Sequence, residues 1–243
     1  MTGITLPEDI HVIPGRAGCM YLTGEKNRLM LIDSGFPSDT KRLFRYIAAR
    51  LNGQPQSIKL ALLTHAHFDH VSGVDKIVKA SGCKIAAFSQ ARYYLSGEKA
   101  LPVTSFSSYL KFAKFLAANG FPAPSFTDIF TMPYAGIPGI KKGILSKIDY
   151  FLEDGDTVPG FPQWQVIHTP GHTAEGICVY NPSTKTLFSG DTIINDKGTV
   201  KLSQLLIQDT GALYNSLNKL KRYEVDHLYP GWGMPVCGHN LLS

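Results

Sequence analysis

Residues 60–70 read LALLTHAHFDH and join a buried-strand pattern to a cluster of ligand-type side chains. The opening apolar run predicts a short strand, and His65, His67 and His70 follow it closely. Residues two apart at an extended strand end point to the same side, so His65 and His67 can bind one ion together. Imidazole nitrogens and the carboxylate of Asp69 suit Zn²⁺, Fe²⁺ or Mn²⁺. The stretch therefore predicts a metal site at the end of a buried strand.

Two later turns carry further candidate ligands. Residues 169–173 read TPGHT after a predicted strand and hold His172, while residues 188–192 read FSGDT and hold Asp191. In layered α/β proteins, functional side chains gather on loops that follow strand ends. We therefore expect His172 and Asp191 to lie beside the histidines of residues 60–70.

The rest of the chain predicts strands that alternate with helices, which is typical of a layered α/β domain. Apolar spacing predicts helices at 40–51, 72–80, 107–119 and 211–222. Short apolar runs predict strands at 10–13, 19–23, 29–32, 60–64, 84–88, 164–168, 176–180, 186–189 and 226–229.

Composition excludes several classes of protein. The 243 residues are 44% hydrophobic and 18% charged, which is a globular composition and fits one large domain. The four cysteines are far apart and form no CxxC pair, which argues against a zinc ribbon or a disulfide scaffold. No signal peptide is visible, and no apolar stretch approaches the roughly 20 residues that span a bilayer. We expect a cytoplasmic protein without stable membrane insertion.

The formal net charge of +5 is unevenly distributed. Residues 91–150 contain seven basic and three acidic residues, so this segment carries most of the excess, together with 11 of the 26 aromatic residues. The basic residues are spread out and form no Lys/Arg-rich run. This arrangement argues against a nucleic-acid partner.

In order and spacing, five motifs resemble the metallo-β-lactamase-fold hydrolase superfamily, in particular its glyoxalase II and lactonase-like branch. They are LIDSG at 31–35, HAHFDH at 65–70, TPGHT at 169–173, SGD at 189–191 and YPG at 229–231. The resemblance covers nearly the whole chain. It implies a single domain over 1–243 that folds as a four-layer αβ/βα sandwich, with the aromatic- and lysine-rich segment 91–150 as an insertion that caps the active site.

The resemblance also implies a role for each matching residue. Two divalent metal ions, zinc with iron or manganese as alternatives, would be bound by His65, His67 and His172 at the first site and by Asp69 and His70 at the second, with Asp191 bridging both. Asp33 would orient a ligand histidine by hydrogen bonding. Asp69 would act as the catalytic residue that orients the nucleophile and handles its proton.

One position departs from the superfamily pattern. The final Pro-Gly is usually followed by a histidine that completes the second metal site, but here Trp232 follows Gly231. Tryptophan cannot ligate a metal, since its indole N–H only donates. Three consequences remain open: a weak second site with water in the vacant position, a single-metal enzyme, or a replacement ligand from Cys237 or His239. We expect Trp232 itself to form a wall of the substrate pocket.

These features predict a metal-dependent hydrolase that uses metal-bound hydroxide on a small ester-type substrate, a lactone or a thioester. Lysines and aromatic rings in 91–150 favour an anionic or amphipathic small molecule, although the same segment could form a homodimer interface. One alternative is a mononuclear-iron redox enzyme of the persulfide-dioxygenase type. Another is a non-catalytic binding protein on a hydrolase scaffold.

Overall fold

The computed structural model describes residues 6–122, 125, 128, 139–140, 143 and 148–243. The remaining positions of the expected 91–150 insertion lie outside the described residues, as do residues 1–5 of the expected single domain.

Two six-stranded sheets form the centre of the fold. The first sheet contains, in chain order, β1 (Ile10–Pro14), β2 (Cys19–Glu25), β3 (Arg28–Ile32), β4 (Ile58–Leu63), β5 (Lys84–Phe88) and β6 (Tyr150–Leu152). The second sheet is built from β7 (Thr157–Val158), β8 (Phe161–His168), β9 (Ile177–Asn181), β10 (Thr186–Gly190), β13 (His227–Pro230) and β14 (Val236–Cys237). A separate hairpin pairs β11 (Ile193–Asp196) with β12 (Thr199–Leu202).

Helices occupy the connections between these strands. They are α1 (Asp39–Leu51), α2 (Phe68–Val71), α3 (Val74–Ser81), α4 (Arg92–Leu95), α5 (Phe106–Ala118) and α6 (Thr210–Leu220). The side chain of Asp209 caps the first turn of α6 by accepting a hydrogen bond from the backbone N–H of Ala212, 2.9 Å away.

Alternation along the central strands explains the four layers. In β3, Leu29 and Leu31 join a core with α1 and α3, whereas Met30 and Ile32 face the second sheet. In β9, the second residue Cys178 likewise points away from the first sheet and packs with Leu220 of α6. Because successive side chains of a strand point to opposite faces, each sheet must be covered on both sides. The result is the expected helix–sheet–sheet–helix sandwich.

All nine predicted strands and all four predicted helices are present, with ends shifted by up to three residues. The short elements β6, β7, β11, β12, β14, α2 and α4 were not predicted. Lys197 and Gly198 form the two-residue turn of the β11–β12 hairpin, and both have positive φ. Glycine is favoured in such turns, so Gly198 was a local sequence signal for this hairpin. In the described part of the chain, no helix combines the length and the apolar character needed to cross a membrane.

Candidate metal centre

The candidate ligands lie where strands of both sheets end. Residues 65–70 follow β4, His172 follows β8 and Asp191 follows β10. Strands β8 and β10 point in the same direction, since both pair antiparallel with β9 between them. Strand direction therefore brings the separate sequence motifs to one edge of the sandwich.

Two overlapping groups of side chains could hold a cation there. One ligand atom from each of His65, His67 and His172 lies within 4.8 Å of the other two, and the same holds for His65, His70 and Asp191. Nδ1 of His67 and Nε2 of His172 face each other across 2.9 Å. Asp191 reaches both groups: its Oδ2 lies 3.3 Å from Nε2 of His172, and its Oδ1 lies 3.3 Å from Nε2 of His70.

Burial keeps the first group of imidazoles neutral. Together with the neighbouring imidazoles, burial lowers the pKa of His65 well below its usual range. It also lowers the pKa of His67 and of His172. Neutral imidazoles offer lone pairs to a cation. Nε2 of His65 and Nε2 of His67 are moreover buried without a hydrogen-bond partner among the described residues. Such orphaned acceptors fit a bound metal ion.

His70 has a different electrostatic environment. Burial by itself would lower its pKa, but the carboxylates of Asp191, Asp33 and Asp69 raise it well above the usual range. Burial conversely raises the pKa of Asp69, whose Oδ2 lies 3.7 Å from Nε2 of His70. The second group thus combines the imidazoles of His65 and His70 with the carboxylate of Asp191, and Asp69 lies beside it. Oxygen and nitrogen donors of this kind suit zinc, iron and manganese.

Asp33 holds two of the histidines in place. Its Oδ2 accepts a hydrogen bond from Nδ1 of His70 at 2.8 Å and another from the Thr64 hydroxyl at 2.8 Å. Nδ1 of His65 lies 3.1 Å from the same hydroxyl, so Thr64 connects His65 to Asp33. Because Nδ1 of each ring donates, Nε2 is the nitrogen of His65 and of His70 that is left to face a cation. Asp33 itself has a φ of 57°, a left-handed conformation that non-glycine residues rarely adopt.

Comparison with known proteins shows the family of this chain. A family profile described as the metallo-beta-lactamase superfamily matches residues 13–232. The chain belongs to this superfamily. The "Probable metallo-hydrolase YflN" of Bacillus subtilis is 27% identical over 99% of this chain and 90% of that protein.

More distant relatives agree with the superfamily assignment. A hydroxyacylglutathione hydrolase of Francisella tularensis subsp. novicida is 26% identical over 85% of this chain, but the match spans only 58% of that longer protein. The crystal structure of the BLEG-1 B3 metallo-beta-lactamase superposes with a TM-score of 0.62, at 21% identity, over 94% of this chain and 93% of that chain. This superposition shows the metallo-β-lactamase fold. The chain is accordingly a metallo-hydrolase, and its superfamily implies a bound divalent metal.

The indole of Trp232, the residue at the position where the resemblance leads us to expect a ligand histidine, contacts the centre directly. Nε1–H of Trp232 donates to Oδ2 of Asp191 at 2.8 Å. A Cβ on Gly231 would lie 2.3 Å from Oδ1 of Asp191, so the preceding position requires glycine for this close approach. Asp191 is therefore held on one side by the indole N–H and on the other by a backbone that fits against it.

The expectation that Trp232 forms a wall of the substrate pocket is wrong. The side chain is fully buried, and Phe112, Phe115 and Phe121 surround its ring with centroids 5.4, 5.8 and 4.9 Å away. The ring has no face open to a ligand because helix α5 packs over it. Its polar edge is directed at Asp191, since a buried indole N–H must find an acceptor.

The suggested replacement ligands are also wrong. Cys237 pairs with His227 at the start of β13, whereas Trp232 follows the other end of that strand. The Cys237 side chain is exposed, and the His239 imidazole is 90% exposed beside Asp226. Neither side chain can take the place of the ligand expected at position 232 unless the end of the second sheet rearranges.

Two contacts at the centre were not predicted from sequence. Nδ1 of His172 lies 2.9 Å from the backbone carbonyl of Leu205, which therefore accepts its proton and fixes the ring. Oε1 of Glu175 accepts the backbone N–H of Ala66 at 3.0 Å, between the histidines at 65 and 67. Burial raises the pKa of this fully buried Glu175. Neither contact has a local sequence signal, since Leu205 acts through its backbone and Glu175 acts across the two sheets.

Proposed function

We propose that this metallo-hydrolase cleaves a small ester-type substrate, a thioester or a lactone, at the centre formed by His65, His67, His172 and Asp191. The observation that carries the proposal is the pair of ligand groups that overlap at His65 and contain only nitrogen and oxygen donors. A divalent cation bound to such donors supplies a hydroxide nucleophile near neutral pH and stabilises the negative charge that develops on a carbonyl oxygen.

Each residue of the chain has a task in this proposal. His65, His67 and His172 hold the first cation, and Asp69, His70 and Asp191 hold the second. Asp33 and the carbonyl of Leu205 keep the imidazoles in the tautomers that ligation needs. Asp69 accepts the proton of the nucleophile and returns it to the leaving group.

Thioesters are the preferred substrates within the ester class. The hydroxyacylglutathione hydrolases among the relatives are named for a thioester, and they match this chain at 25–33% identity. The test is a panel of thioester, lactone, β-lactam and phosphodiester substrates, assayed with zinc, manganese or iron. We expect thioester or lactone turnover that disappears after chelation and returns with metal. Turnover that survives complete metal removal would contradict the proposal.

Metal content distinguishes the redox alternative. Three imidazoles and one carboxylate also suit a single iron, and the resemblance expects a further histidine ligand of the second group where Trp232 stands, whose indole N–H can only donate. Stoichiometric iron with oxygen consumption would favour an iron redox enzyme, whereas zinc or manganese with hydrolysis supports the proposed function.

A further inference from the structure

A cavity of about 400 Å³ lies between helix α5 and the β11–β12 hairpin, next to the metal centre. Four lysines line it against a single acidic residue, Asp196, and we call this the lysine groove: Lys111 and Lys114 on α5, Lys197 in the hairpin turn and Lys201 on β12. A cleft lined by charges of one sign concentrates ions of the opposite sign. The lysine groove therefore attracts anions.

Most of this charge is not neutralised by the protein. Asp196 forms a salt bridge with Lys201 and accepts a 3.5 Å hydrogen bond from Asn119. Across the described ranges, no salt bridge joins Lys111, Lys114 or Lys197 to a carboxylate. Lys111 and Lys114 are three residues apart on one exposed face of α5, where like charges repel each other. Bound anion would relieve that repulsion.

The groove also has an apolar floor. Phe115, Ile194 and Leu205 line it beneath the lysines, and the last two are buried. A ligand that fits both surfaces has an apolar body and at least one acidic group. Inorganic phosphate or a highly hydrated anion would leave the floor unused.

The floor is joined to the metal centre by two short connections. The carbonyl of Leu205 accepts the Nδ1 proton of His172, so the residue that lines the groove also orients a candidate ligand. On the opposite wall, Ile194 of β11 lies three positions after Asp191 and packs in one cluster with Trp232, which donates to Asp191. The lysine groove and the metal centre therefore share Leu205 and Ile194 as neighbouring residues.

We propose that the lysine groove is the subsite that binds an acidic group of the substrate, a carboxylate in the first instance, on the leaving-group side of the scissile bond. This inference rests on the proposed esterase function, because it places the anion next to the same centre. It assigns a substrate class, an amphipathic monoanion or dianion, and names Lys111 and Lys114 as specificity residues.

The first test compares two thioesters that share one acyl group. One is made from 3-mercaptopropionate and is anionic, and the other is made from the neutral 3-mercaptopropanamide. We expect a higher kcat/KM for the anionic thioester, and a loss on the order of three- to fivefold for each lysine removed, from exposed charge pairs of up to about 1 kcal/mol. The loss should lie in KM with kcat unchanged, since the contact serves ground state and transition state alike.

The variants are Lys111→Gln, Lys114→Gln and the double substitution, with Lys41→Gln on the exposed side of α1 as a matched control. Lys111→Arg with Lys114→Arg should keep the preference for the anion, because arginine retains the charge. Raising the ionic strength from about 0.01 M to about 0.1 M shortens the Debye length from roughly 30 to roughly 10 Å. This change should reduce the ratio of kcat/KM for the anionic thioester to kcat/KM for the neutral one. Metal content is measured for every variant, and we expect it to be unchanged.

A binding measurement separates the failure of this inference from the failure of the proposed function. Saturation-transfer NMR with the metal-loaded protein compares hexanesulfonate with 1-hexanol. Binding of hexanesulfonate that requires Lys111 and Lys114, without turnover of any ester, would support the subsite and refute the esterase. Turnover of both thioesters with equal kcat/KM, unaffected by the lysine substitutions, would support the esterase and overturn the subsite.

Discussion

Replacing Trp232 tests whether its indole fills the position of a missing metal ligand. The fully buried ring packs against three phenylalanines and donates one hydrogen bond to Asp191. Trp232→Phe removes the N–H and leaves Oδ2 of Asp191 without this donor, which costs about 1.5–3 kcal/mol for a bond to a charged group. The smaller ring adds a packing loss of about 1–2 kcal/mol. In metal-free protein we expect Trp232→Phe to lower the free energy of unfolding by about 2.5–5 kcal/mol.

Trp232→His loses the same indole but introduces an imidazole beside Asp191. Metal-free, it should be destabilised about as much as Trp232→Phe. With metal present, the two variants should diverge, because only histidine can ligate a second ion. A gain of roughly 10- to 100-fold in affinity for the second metal corresponds to about 1.4–2.7 kcal/mol of additional stability at saturating metal.

The assay combines urea unfolding, with chelator and with saturating zinc, and metal counting by mass spectrometry. Phe115→Leu serves as a control, since it disturbs the same aromatic cluster without touching the hydrogen bond to Asp191. Its loss of stability should not depend on metal. Equal metal stoichiometry and equal affinity in Trp232→His and Trp232→Phe would refute the assignment of the vacancy to position 232.

Three further substitutions test the supports of the centre. Asp33→Asn weakens the acceptor for His70 and Thr64, so chelator competition should show roughly 10- to 100-fold weaker metal binding; wild-type affinity would contradict this role. A Cβ at Gly171 would lie 2.4 Å from the Leu213 backbone, and Gly171 has a φ of 138°, so Gly171→Ala should lower the melting temperature and the metal content together. Burial raises the pKa of Glu175, so the folded state binds its proton more tightly than the unfolded state does. As the pH rises above the ordinary glutamate pKa, Glu175→Gln should therefore gain stability relative to wild type in urea titrations, whereas a pH-independent difference would show that Glu175 does not titrate with folding.

The positions of the strands and the gathering of the candidate ligands could be predicted because their signals are local. The apolar run before His65 specifies a buried strand, and each later motif also follows a strand. Parallel strands carry their following loops to the same edge. Apolar residues of β3 and β4 point alternately to the two faces of the first sheet, so each face must be covered by another layer. This requirement favours a layered sandwich.

Two supports of the ligands could not be predicted, since they join residues far apart in the chain. Glu175 reaches the N–H of Ala66 across 109 positions, whereas the hydrogen bond between Asp33 and His70, across 37 positions, was expected from the superfamily resemblance. Leu205 contributes a carbonyl that every residue possesses. Such contacts depend on the closing of two sheets against each other, and no periodicity or spacing encodes them.

Two departures in the sequence, the aromatic enrichment of 91–150 and the tryptophan at 232, prove to be in physical contact. Phe112 and Phe115 of α5 pack on the Trp232 ring, and the polar edge of that ring donates to Asp191. A histidine at this position would be too small to fill the space beneath α5, while a tryptophan needs a buried acceptor for its N–H. Asp191 supplies that acceptor. The aromatic helix α5 and the tryptophan at position 232 thus depend on each other for their packing. Through Trp232, the helix that lines the lysine groove also positions Asp191, the carboxylate that reaches both ligand groups.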